Sequence, residues 1–91
     1  MADRLSPFQA AQLAAGVLAA RHRGDLHGAE ALLASFPDEA GKTRGFCLLA
    51  ELSLSLVREQ TGQTMAELVQ ELSAHLGQAD SSFGSPDSPD R

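Results

Sequence analysis

Residues 51–57 read ELSLSLV, and how this stretch is read decides the fold. Leu52, Ser53, Leu54, Ser55 and Leu56 alternate apolar and polar, which is the period of a half-buried strand. A strand would set Cys47, Leu49, Glu51 and Ser53 on one face, and the apolar run from Phe46 to Ala50 would break its alternation. Spaced at about 100° per residue, the same segment sorts better. Phe46, Ala50, Leu54 and Val57 form one row, and Leu49, Leu52 and Leu56 form its neighbour. Arg44, Glu51, Ser55, Arg58 and Glu59 collect on the opposite side. The helical template wins. Its apolar arc covers roughly 220°, wider than the stripe of an ordinary surface helix, and so predicts a mostly buried helix at the centre of a bundle. Ser53 falls inside the arc, where its hydroxyl can donate to the carbonyl one turn back.

Outward from this helix the chain is punctuated by helix signals. Ser6-Pro7-Phe8-Gln9 is a capping box with proline at the first helical position. The helix it opens should run to about Arg23 and stop at Gly24, a residue suited to a left-handed cap. Ala10, Ala11, Ala14, Ala15, Gly16, Ala19 and Ala20 give that helix a small-residue surface open to close approach by another helix. Asp25 can cap a second helix, in which Leu26, Ala29, Leu32, Leu33 and Phe36 fall at helical spacing before Pro37 ends it. A polar stretch over 37–45 then passes into the third helix somewhere between Asp38 and Thr43. Thr61-Gly62 closes the third helix, and Thr64-Met65-Ala66-Glu67 is a second capping box. Met65, Leu68, Val69, Leu72 and Leu76 form an amphipathic stripe that should end at His75 and Gly77. From Gln78 the sequence QADSSFGSPDSPDR is rich in Ser, Pro, Gly and Asp with one lone Phe83, a composition expected to be disordered.

The fold class expected is therefore all-α: four helices in two antiparallel hairpins, a bundle domain over residues 1–77 and an acidic tail over 78–91. Composition agrees, since the chain lacks Ile, Trp, Tyr and Asn and is rich in Ala and Leu, residues that lose little side-chain freedom in helices.

Composition also narrows the function. A net charge of −5 argues against binding nucleic acid or an anionic membrane surface, both of which need a positive field. One cysteine, Cys47, excludes a disulfide within the chain and fits a reducing, cytoplasmic setting. Asp3 beside Arg4 denies the N-terminus a basic leader, which argues against a signal peptide, and the apolar run from Leu13 to Ala20 is too short for a bilayer.

No constellation for chemistry emerges. His22, His27 and Cys47 lack the close ligand pairing of a zinc site, so no metal or cofactor is expected. Glu67 with Glu71, and Asp38 with Glu39, fall on expected helix surface or loop, where nothing would tune them for acid–base work. Nothing points to a small-molecule substrate or to an enzyme. The fourth helix carries no Lys or Arg and makes a poor recognition helix for DNA.

Residues 10–37 combine a small-residue first helix, Gly24-Asp25 at the turn, Ala29 in the second helix and Pro37 after it. In these features they resemble one tetratricopeptide repeat; they depart from it in having Leu13, Ala20 and Leu33 at about that family's large aromatic positions, and no second copy is visible over 44–76. The resemblance implies protein or peptide binding.

The function expected is a non-enzymatic protein–protein interaction module, self-associating as a homodimer and binding through an apolar groove between helices. Its candidate contact residues are Ala15 and Ala19 on the first helix and Leu48 on the polar side of the third. The competing expectation is a small regulator of nucleic acid or a transcription factor, acting through a basic end made by Arg21, Arg23, Lys42 and Arg44.

Overall fold

The structure is a computed structural model that describes residues 5–84, the side chains of 82–84 excepted. Four helices account for all its regular structure: α1 (Pro7–His22), α2 (Leu26–Ala34), α3 (Glu39–Thr61) and α4 (Met65–Gly84). Each begins or ends where local chemistry dictates. The Gln9 amide donates to Ser6 Oγ at 3.1 Å, and the Ser6 amide donates to Gln9 Oε1 at 2.9 Å. At the other end of α1, the Asp25 amide reaches the Ala20 carbonyl at 2.9 Å and the Gly24 amide reaches that of Arg21 at 3.1 Å. That pair of bonds requires a left-handed residue, and Gly24 supplies φ 81°. Asp25 caps α2 through the Gly28 amide at 2.8 Å, and Asp38 caps α3 through the Gly41 amide at 2.6 Å. Thr64 and Glu67 repeat the reciprocal box at the start of α4, at 3.1 and 2.9 Å.

The chain divides into two compact units, with the boundary between Ser53 and Leu54 inside α3. In the first, α1 and α2 form a hairpin joined by Arg23-Gly24-Asp25. Its core is built on α1: Ala10, Ala14, Val17 and Ala20 are buried at helical spacing, together with Ala29 of α2 and Phe36 beyond its end. Leu5, Leu13, Leu32, Leu33, Phe46 and Leu49 pack around them, and the Phe36 and Phe46 rings meet at 6.0 Å. Small side chains let the backbones close in. Gly45 is buried against Ala10, and a Cβ placed there would lie 2.6 Å from the Ala10 carbonyl oxygen. The α1–α3 approach therefore requires glycine at this position.

In the second unit the end of α3 turns through residues 62–64 into α4, with Gly62 at φ 77°. Arg58 Nε donates to the Gln63 carbonyl at 3.3 Å, and Gln63 Nε2 donates to Glu71 Oε1 at 3.0 Å. Val57 and Thr61 line one concavity with Leu68, Leu72 and His75, so the first half of α4 turns back along the last turns of α3. Leu68 is the only buried side chain among the described residues of this unit.

ELSLSLV is helical, and Ser53 Oγ donates to the Leu49 carbonyl at 2.8 Å as the helical reading requires. The segment is not buried, however. Leu52, Leu56 and Val57 are 45%, 63% and 41% exposed, and Leu54 is half-buried. A wide apolar arc counts the faces that neighbours can cover, and this stretch of α3 has too few neighbours to cover them. The central position in the first unit belongs to α1. The expected end of α4 at Gly77 is also corrected, because the helix continues to Gly84 and the chain is helical past the proposed boundary of the bundle. Glycine in a helix interior costs about 1 kcal/mol relative to alanine, too little to stop a helix that lacks a left-handed turn there. The remainder of the expected tail, residues 85–91, and the side chain of Phe83 lie outside the described residues.

Candidate partner-binding surface

Proline at the start of α1 places Phe8 in the first turn, off the row of buried alanines, and Phe8 is 66% exposed. Beside it lies an open groove of about 360 Å³ between α1 and the first unit's part of α3. Phe8, Gln9, Ala11, Gln12 and Ala15 of α1 line it opposite Leu49 and Leu52 of α3. Ala11 is buried, Leu49 is half-buried, and Leu52 stands nearly half-exposed. The lining carries no charged group. Such a surface can accept an apolar side chain from a partner and offers little to a polar small molecule.

The candidate residues from the sequence distribute around this groove unevenly. Ala15 lines it, and Ala19 is exposed one turn further along α1. Leu48 is half-buried rather than presented on the open polar side of α3, and it takes no part in the groove. Lys42 pairs with Glu39 at 3.1 Å, and Arg23 pairs with Asp25 at 3.6 Å. Arg44 is exposed and borders a small cleft with Leu5, Pro37, Asp38 and Gly41. The four cations do not gather at one end. Gly45 sits on Ala10, so Lys42 and Arg44 lie near the start of α1, whereas Arg21 is eleven residues, about 16 Å, further along its axis.

The residues weighed for chemistry have other employment. Glu67 and Asp38 cap helices, Glu71 accepts from Gln63, and Glu39 holds Lys42. His22, His27 and Cys47 are exposed, and among the described residues no three His, Cys, Asp or Glu side chains come together as a metal site would need. No described helix is long and apolar enough to cross a membrane. Phe8 is the member of the groove that sequence reasoning passed over. Its signal was an aromatic residue in a first turn, outside the apolar row of its own helix.

Comparison of the chain with protein-family models, with curated proteins and with solved structures found no match.

Proposed function

We propose that this chain is a non-enzymatic protein–protein interaction module that self-associates through the groove between α1 and α3. The observation that carries this reading is the exposed Phe8 at the mouth of an uncharged apolar groove. A two-fold pair would let each subunit's Phe8 fill the other's groove, with Ala15 and Ala19 allowing the helices to approach closely. Phe8 is large, apolar and exposed, the profile of an interface anchor. The likeness of residues 10–37 to a tetratricopeptide repeat points the same way, toward protein binding. The single cysteine suits a reducing compartment, and we place the module in the cytoplasm on that ground. The regulator reading loses support because Arg21 and Arg23 lie apart from Lys42 and Arg44.

Sedimentation equilibrium at micromolar concentration tests the proposal. A dimer mass is expected, and Phe8→Ser or Ala15→Glu should weaken it at least about tenfold while leaving the helical circular dichroism unchanged. A monomer mass over the whole accessible range would end the self-association reading and leave the groove to a different protein.

A further inference from the structure

The second unit carries more apolar surface than its own helices cover. Met65, Leu68, Val69, Leu72 and Leu76 recur along α4 at helical spacing, yet Val69, Leu72 and Leu76 are 46%, 44% and 68% exposed. Val57, Thr61, Leu68, Leu72 and His75 line a concavity of about 340 Å³ together with Gln63 and Glu71, whose side chains are bonded to each other at 3.0 Å. From Leu68 to His75 the groove follows α4 for about 10 Å, two helical turns.

Its charge differs from that of the first groove. Between Leu54 and Gly84 the sequence holds Glu59, Glu67, Glu71 and Asp80 against Arg58 alone, a formal charge of −3, and α4 contains neither Lys nor Arg. Where the α1–α3 groove has an uncharged lining, this one has a carboxylate in its wall and others along the same helix. Apolar floor and acidic surroundings together specify an occupant. We infer that this second groove receives an amphipathic helix of another protein, with apolar anchors at i, i+3 or i+4 and i+7 flanked by Lys or Arg. The anchors match the two-turn length, and the flanking cations match the carboxylates. A second copy of this chain lacks that chemistry. Its exposed helical stripe, Leu52, Leu56 and Val57 of α3, has one neighbouring cation, Arg58, between the carboxylates of Glu51 and Glu59, and so carries net negative charge rather than a flank of Lys and Arg. An anionic membrane surface would be repelled.

The test uses the full chain and a fluorescent peptide of about fifteen residues, built of Leu and Lys with Leu at the anchor spacing. Two control peptides accompany it, one with Glu in place of Lys and one with the Leu/Lys order scrambled to abolish the stripe. Fluorescence anisotropy should show saturable binding of the patterned Lys peptide alone. Leu72→Ser, at an exposed position, should weaken it at least about tenfold, and Glu71→Gln by a smaller factor. Raising salt from about 50 to 300 mM should weaken it several-fold. Phe8→Ser should leave it unchanged, which separates this groove from the self-association surface. Equal binding of the scrambled peptide would reduce the effect to charge attraction and overturn the inference. So would equal binding of the Glu peptide, indifference to Leu72→Ser, loss on Phe8→Ser, or no binding up to millimolar peptide.

Discussion

The first unit, through Ser53, buries Ala10, Ala11, Ala14, Val17, Ala20, Ala29 and Phe36, whereas the second, from Leu54, buries Leu68 and no other described side chain. Both are made of well-capped helices, and large aliphatic residues are about equally frequent in the two. The difference is neighbours and side-chain size. In the first unit α1 meets both α2 and the start of α3, and alanine and glycine let those backbones come close enough to exclude water. The tightest approach is at Gly45, which takes the backbone of Ala10, whereas a Cβ added at Gly16 would meet Leu32 only at ordinary contact distance. In the second unit two helices meet along one seam, and the outer edges of their leucine stripes stay in solvent. Large apolar residues do not make a core without a third surface to press against. What they make instead is a candidate docking face.

The sharpest way to break the contrast is Ala14→Asp. Ala14 is fully buried, so an unpaired carboxylate there should cost more than about 4 kcal/mol. Hydrogen exchange should then show α1 and α2 losing protection; persistent protection would mean the alanine core is not what holds the unit. Leu68→Ala comes next, at about 2–3 kcal/mol by urea denaturation. Its effect on exchange should concentrate in α4, and an equal loss throughout α1 and α2 would show that the two units unfold as one. Gly45→Ala should cost about 1–2 kcal/mol, because the clash with Ala10 outweighs the gain in helix propensity. A stabilised variant would disprove the close approach. Ser6→Ala and Thr64→Ala should each lower stability by about 1 kcal/mol, a matched pair of cap losses with one in each unit. Last, Leu56→Asp should change stability by no more than about 0.5 kcal/mol, since the side chain is 63% exposed. Global unfolding on that substitution would restore α3 to the buried centre that its sequence implies.

The wheel that made ELSLSLV a helix was right about the element and wrong about its surroundings. Leu52, Leu54, Leu56 and Val57 belong to a broad apolar arc, and an arc of that width fits a buried helix as well as one with two unpartnered faces. Burial depends on which other elements arrive, and the spacing within one segment does not encode that. The same limit explains Leu48, expected open and found half-buried, and the cations Arg21, Arg23, Lys42 and Arg44, expected together and found near both ends of α1. Part of the candidate surface was legible. Ala15 and Ala19 are exposed, and Ala15 lines the groove, but its aromatic member Phe8 was hidden behind its role as filler in a capping box.

By itself the sequence determined the helices and most of their ends. Ser6 with Gln9, Asp25, Asp38, Gly24, Gly62 and Thr64 with Glu67 act on amides and carbonyls a few residues away, so their chemistry is complete within a short window of chain. Gly77 is the informative exception. A glycine stops a helix only when its backbone turns left-handed, and residue type permits that turn without compelling it. Tertiary structure alone decided that the alanines of α1 are the core, that Gly45 is a packing glycine, and that Leu52 and Leu56 of α3 and Leu72 and Leu76 of α4 stay exposed. Each of those outcomes depends on contacts between residues distant in the chain, where a methyl group too many or a neighbour too few changes which face is dry.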